Sequence, residues 1–200
     1  MTSARVVVLA GPSGAGKSRL AARLHDAHGW PIVRLDDFYR DEDDPAMPRS
    51  AELGIVDWDH PDSWNREAAV EALATLVSTG SAATPVYDIG LSRAVGTTVV
   101  SAGPDDLVLT EGIFAAEIIA DLSERGLLAG AYCVHHHRLL TFAYRLLRDL
   151  SERRKPPWTL VRRGLALMRD EPRVVARQEA LGARPARASE LEPLLSALAR

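Results

Sequence analysis

Gly11-Pro12-Ser13-Gly14-Ala15-Gly16-Lys17-Ser18 is the stretch on which the reading of this chain turns. Its spacing is G-x-x-x-x-G-K-S. The apolar run Val6-Val7-Val8-Leu9-Ala10 precedes it, and Arg19-Leu20-Ala21-Ala22-Arg23-Leu24 follows, with Leu20 and Leu24 one helical turn apart. Strand, glycine loop and helix, in that order, are the context in which this spacing makes a polyphosphate cradle. Glycines let the backbone curl until successive N–H groups point inward at phosphate oxygens. The helix opening near Lys17 adds the positive end of its dipole. Gly11, Ser13, Gly14, Ala15, Gly16, Lys17 and Ser18 are therefore the candidate nucleotide-binding set. Lys17 is expected to reach the β- and γ-phosphates of a nucleoside triphosphate, and the Ser18 hydroxyl to ligate Mg²⁺.

The chain has 200 residues. A domain of that size buries about 70% of its unfolded surface and folds without staples. The expectation is one domain over 1–200. Its single cysteine, Cys133, makes no intramolecular disulfide and no zinc set. Lying in Ala129-Gly130-Ala131-Tyr132-Cys133-Val134, it reads as a buried strand residue. No signal peptide or long apolar span is visible, so a soluble cytoplasmic protein with no membrane partner is expected.

The net charge of -3 is unevenly spread. Ten acidic residues face two basic ones between Asp36 and Asp62, and thirteen basic face five acidic between Arg138 and Arg187. Aromatic residues in the basic half (Phe142, Tyr144, Trp158) are few and not interleaved, which argues against nucleic acid. A basic element closing over polyphosphate fits better. Lysine occurs only at positions 17 and 155 beside 22 arginines, so its retention in the loop suggests a need for a compact ammonium.

Outward from the loop, Pro31–Leu35 reads as a short second strand ending on Asp36-Asp37-Phe38-Tyr39-Arg40. Residues 41–54 read as a loop, and Asn65–Ser78 as a helix with Ala69, Leu73, Leu76 and Val77 on one side. Thr84–Asp88 and Thr97–Val100 read as a hairpin-like excursion within 84–100. Asp106–Gly112 returns as a buried parallel strand carrying Glu111 at its carboxyl end. Ile113–Arg125 is expected to be helical and Ala129–Val134 a further strand. An arginine-rich helix is expected over about 139–153, a long helix over 159–181 and a last helix over 189–199. Leu181–Arg187 reads either as an adenine-contacting loop or as a plain linker. The alternation predicts an α/β fold with a central parallel sheet flanked by helices. Ligands of such sheets bind at strand carboxyl ends, which places Asp36, Asp37 and Glu111 near the loop.

Taken together, the glycine loop, Asp36-Asp37-Phe38-Tyr39-Arg40, Trp58-Asp59-His60-Pro61-Asp62, Pro85-Val86-Tyr87-Asp88, Glu111-Gly112-Ile113 and Arg145-Leu146-Leu147-Arg148-Asp149-Leu150-Ser151-Glu152-Arg153 occur in the order seen in uridine kinases. The chain resembles that family of P-loop kinases from about residue 4 to residue 155. The resemblance implies an ATP- and Mg²⁺-dependent phosphotransferase acting on a nucleoside 5′-hydroxyl. It implies that Asp36 is the general base, that Asp36 and Glu111 join Ser18 at Mg²⁺, and that Asp59 accepts the ribose hydroxyls. Tyr87 would contact the base, with Arg93 also on the substrate side, and Arg145 would help fix the sugar. Arg148, Arg153 and Lys155 would form a lid over about 145–157 that neutralises the transferring phosphoryl. On a helix, Arg145, Arg148 and Arg153 lie within roughly 80° to 140° of one another, a broad face.

One segment departs from the family. Asp88-Ile89-Gly90-Leu91-Ser92-Arg93 has Ile89 where the family commonly has an aromatic residue, and lacks its histidine. A pocket without that polar partner discriminates bases poorly. A kinase of the same family acting on another small hydroxyl compound is therefore the second reading. A nucleotide-binding regulatory ATPase is the third; no Asn-Lys-x-Asp guanine motif is present. His135-His136-His137 cannot all meet one ion from a strand, because alternate side chains point to opposite faces. Trp58 and Trp64 read as packing. The sequence sets no oligomeric state.

Overall fold

Strand β1, Arg5–Ala10, is buried from Val6 to Ala10 because both its edges and both its faces are covered. The computed structural model describes residues 5–50, 54–135 and 172–198. Four more strands complete a parallel sheet: β2 Ile32–Arg34, β5 Leu107–Glu111, β6 Leu128–Val134 and β7 Arg184–Ala186, in the order β2-β5-β1-β6-β7. Alternate β1 residues feed different cores. Val6, Val8 and Ala10 pack with helix α2 (Arg66–Thr79) and the start of α3 (Ile119–Glu124). Val7 and Leu9 pack with α1 (Lys17–His28) and the last helix, Ala188–Leu198. That two-sided cover is why β1 reads as an unbroken apolar run.

Helix α1 follows from its sequence. Leu20, Ala21 and Leu24 form its buried stripe, each leucine contributing about 2 kcal/mol, and Gly29 ends it at φ 75°. Helix α2 starts where Asn65 accepts from the Ala68 N–H at 3.0 Å. It buries Ala69, Val70, Leu73, Leu76 and Val77.

Three elements differ from expectation. The hairpin is longer: β3 is Ser81–Asp88 and β4 is Arg93–Ser101, antiparallel, with an irregularity at Val86/Tyr87. The segment expected as one helix from Ile113 begins as a 3₁₀ turn, Ala115–Ile118, and becomes α-helical only at Ile119. Its first turn closes three residues back, with Ala115 N donating to Gly112 O and Glu117 N to Phe114 O, the tighter pattern of a 3₁₀ turn. Residues 181–187 are not simply a linker, since β7 lies within them and extends the sheet beside β6. Residues 172–180 are helical. The arginine-rich segment expected as a lid lies outside the described residues, as do residues 159–171 of the expected long helix.

Candidate active site

The sheet order builds the site. Strand β5 lies between β1 and β2, with Glu111 in register with Leu9 on one side and Arg34 on the other. Its carboxylate therefore stands between the glycine loop that follows β1 and the 3₁₀ turn Leu35–Phe38 that follows β2.

The loop takes its shape from its glycines. Gly11 has φ 142°, and a Cβ there would stand 2.3 Å from the Val134 carbonyl oxygen of β6. No other residue fits that approach. Gly14 and Gly16 are also left-handed, at φ 81° and 85°. Ala15 N donates to Pro12 O at 3.2 Å, closing the turn before α1 begins. Lys17 is buried, and its Nζ donates to the carbonyls of Gly11 at 2.8 Å and Pro12 at 3.1 Å. The ammonium is thus folded back over the mouth of its own loop.

Glu111 is 6% exposed. Burial pushes its carboxyl above the ordinary glutamate value; the Lys17 ammonium opposes the shift, the Asp36 charge adds to it, and a hydrogen bond from the Ser18 hydroxyl opposes it. Asp36 Oδ1 accepts from the Ile113 N–H at 3.4 Å. Gly112 makes room for it, because a Cβ at that position would lie 2.9 Å from Leu35 Cβ and 3.0 Å from Asp36 Oδ1. The sequence-expected residues Lys17, Ser18, Asp36 and Glu111 therefore form one cluster.

Of the acceptor-side candidates, Tyr87 and Asp59 lie beside Tyr39, a residue to which the sequence reading assigned no role. Its phenol is held above the ordinary tyrosine range by burial first, then by the charges of Asp36 and Asp59. Its ring meets Trp58 edge-on at 5.8 Å, Tyr87 at 5.9 Å and Phe114 edge-on at 6.1 Å. Trp64, 2% exposed, stacks on Phe114 at 5.9 Å, as expected of packing. The signal for Tyr39 was its place three residues after Asp36, within the same turn region. Tyr87 donates its hydroxyl to the Arg40 carbonyl at 3.1 Å and its N–H to Asp37 Oδ1 at 3.4 Å, so it ties the hairpin to this turn. Burial raises Asp37 as well. Asp59 is exposed, and Arg93 is exposed at the turn end of the hairpin, opposite Asp88. Arg145, Arg148 and Arg153, with Lys155, lie outside the described residues. A separate groove of about 700 Å³ runs along Asn65–Glu71, Asp121 and Arg125. Its two guanidiniums are paired with acids on the same walls, Arg66 with Asp121 and Arg125 with Glu71.

Comparison with known proteins fits this geometry. A family model described as an AAA domain matches residues 6–83. The uridine kinase of Bacillus pumilus is 30% identical over 151 residues, which is 74% of this chain and 69% of that protein. The chain belongs to the uridine kinase family. Another member of that family, from Lactobacillus johnsonii, is 26% identical over 168 residues, covering 82% of this chain and 76% of its own. Among solved structures, one described as a putative fructose transport system kinase from Silicibacter sp. TM1040 superposes with a TM-score of 0.65 at 18% identity, covering 94% of this chain and 89% of that one. A possible uridine kinase from Bacillus stearothermophilus gives 0.52 at 18%, over 76% and 82%. These two establish the P-loop kinase fold. Membership of the uridine kinase family carries the general use of ATP with Mg²⁺, and the donor set here suits both: a glycine loop closed to a side chain at Gly11, a buried lysine, and a hydroxyl beside a buried carboxylate. No helix among the described residues is long and apolar enough to cross a membrane.

Proposed function

We propose that the chain transfers the γ-phosphoryl group of ATP to the 5′-hydroxyl of a nucleoside, with uridine or cytidine the first acceptor to test. The observation that carries this reading is the placement of Glu111 between Ser18 and Asp36, with β5 inserted between β1 and β2. One carboxylate is then beside the loop hydroxyl and another one strand farther out, where an acceptor can approach.

In this reading the loop N–H groups and Lys17 hold the polyphosphate, the ammonium exchanging its two carbonyl partners for phosphate oxygens. Ser18 and Glu111, with Asp36, would hold Mg²⁺, which would supply positive charge against the polyphosphate. Asp36 takes the proton of the acceptor hydroxyl and orients its oxygen in line with the γ-phosphorus. Asp59 receives sugar hydroxyls from the far side of Tyr39, whose phenol stays protonated and able to donate. Tyr87 and Arg93 border the acceptor on the hairpin, and Arg145, Arg148 and Arg153 close over the transferring group. Residues 1–200 act as one domain, with 84–100 as its substrate hairpin and 145–157 as its lid.

Purified protein with ATP and Mg²⁺ should phosphorylate at least one member of a nucleoside panel, and Asp36→Asn should abolish turnover while ATP still binds. Equal loss of turnover and ATP binding would leave Asp36 only a metal or structural residue and not the base. A second reading, another small hydroxyl compound as acceptor, is favoured by one observation. The Tyr87 hydroxyl is committed to the Arg40 carbonyl, and the adjoining Ile89 and Leu91 are exposed and apolar, so the hairpin offers little to read a base. Phosphorylation of sugars or other alcohols with no nucleoside accepted would select it. Hydrolysis stimulated by a protein partner, without transfer, would select a regulatory ATPase.

A further inference from the structure

Gln178, on the helical residues 172–180, is only 5% exposed. Both ends of its amide are used. Its Oε1 accepts from the Cys133 thiol at 3.2 Å, and its Nε2 donates to the Ile113 carbonyl at 3.5 Å. Cys133 stands level with Ala10, the residue before the glycine loop. Ile113 follows Gly112 at the end of β5, and its own N–H donates to Asp36 Oδ1 at 3.4 Å. A single residue thus separates Gln178 from the Asp36 carboxylate.

Packing alone does not call for glutamine here. Its helical neighbour Val175 and the nearby Leu181 pack against the same core as apolar side chains, and a buried amide costs free energy unless both ends are bonded. What an amide adds is direction: it accepts on one side, donates on the other, and so fixes the plane of the Ile113–Phe114 peptide whose carbonyl it bonds. We propose that Gln178 is a positioning residue that clamps the Ile113–Phe114 peptide and so restrains rotation of the adjoining Gly112–Ile113 peptide, whose N–H holds Asp36 at the angle an acceptor hydroxyl requires. The proposal rests on the reading of Asp36 as the base. The two bonds at Ile113 are long, and hydrogen bonds of this kind tighten when the reacting complex forms.

Gln178→Met keeps the volume and removes both bonds. Assayed with ATP and the best nucleoside of the panel, it is expected to lower kcat about tenfold with KM for ATP unchanged. Hydrogen exchange at the Ile113 amide should quicken about tenfold while that of Val8 in the central strand stays the same. Gln178→Glu can donate to Ile113 only when protonated, so its kcat relative to wild type should rise as the pH falls. Unchanged kcat and unchanged Ile113 exchange in the methionine variant overturn the proposal. So does a loss matched by faster exchange at Val8, which marks general loosening. If the methionine variant does not fold, the glutamate variant decides, and a flat pH ratio refutes the clamp. Asp36→Asn separates the two readings: retained turnover there removes the base, whereas Ile113 exchange in the Gln178 variants reports on the clamp alone.

Discussion

The Ser18 hydroxyl, at the end of the glycine loop, faces the carboxylate of Glu111 at the end of the adjacent strand β5 and favours its charged form. Burial makes that same carboxylate reluctant to ionise. The protein therefore keeps, next to its phosphate loop, a charge that is unfavourable until a cation compensates it.

Glu111→Gln should make the protein more stable at neutral pH while abolishing turnover. The folded-state pKa of Glu111 is raised above 4.5. Its contribution to stability is thus full below that ordinary value and is lost as the pH rises through the raised one. The glutamine variant should melt higher than wild type at pH 7 to 8, and the gap should close toward pH 4. A variant that melts lower at pH 7 would mean that the Ser18 hydroxyl and the Lys17 charge together outweigh the cost of burial.

Gly112→Ala should move Asp36 and not merely loosen the fold. The added carbon would meet Leu35 Cβ at 2.9 Å and Asp36 Oδ1 at 3.0 Å, and overpacking of this kind costs about 1 to 3 kcal/mol. Turnover should fall further than that loss explains, by about 10²-fold at a temperature where the variant is fully folded. Steady-state kinetics beside a denaturation curve check this; normal kcat in a folded variant would detach Asp36 from the chemistry.

Lys17→Arg tests why lysine is kept in an arginine-rich chain. The Lys17 ammonium donates to two loop carbonyls 2.8 and 3.1 Å away in a buried position. A planar guanidinium is larger and presents its donors in a fixed fork. The variant should keep its charge yet lose about 10²-fold in kcat. Near-normal kcat would show that charge alone suffices.

Tyr87→Phe removes the bond to the Arg40 carbonyl and leaves the ring against Tyr39. The hairpin should open locally about fivefold more often, equivalent to about 1 kcal/mol. Amide exchange over residues 81–101 reads this directly. In the wild-type protein the Tyr87 phenol, pushed up to about 12 mainly by burial, should return toward 10 when mild unfolding frees the hairpin. Exchange unchanged from wild type would assign the hydroxyl to the acceptor and not to the hairpin.

Legibility in the sequence followed the range of the interactions. The glycine loop, α1 and the acids at the ends of β2 and β5 were readable because each depends on neighbours within a few residues. Strand β7 was not. Arg184-Pro185-Ala186 is too short for any period and carries a proline, and it is a strand only because β6 presents an open edge to it. The start of β3 was missed for a similar reason, since Ser81-Ala82-Ala83 has little strand propensity and is extended by pairing with Val99–Ser101. Tyr39 could be seen but not weighted, because its enclosure by Trp58, Tyr87 and Phe114 draws on residues up to 75 positions away.

The amino-acid sequence by itself determined that a polyphosphate loop sits between a buried strand and a helix, with carboxylates at two later strand ends. Those are local facts of glycine freedom, apolar runs and charge placement. Only the tertiary structure decided that Glu111 stands between Ser18 and Asp36, that Gly112 must lack a side chain and that Gln178 reaches back to Ile113. Strand order and the close approach of distant backbones are set by packing over the whole sheet, and no window of the sequence contains them.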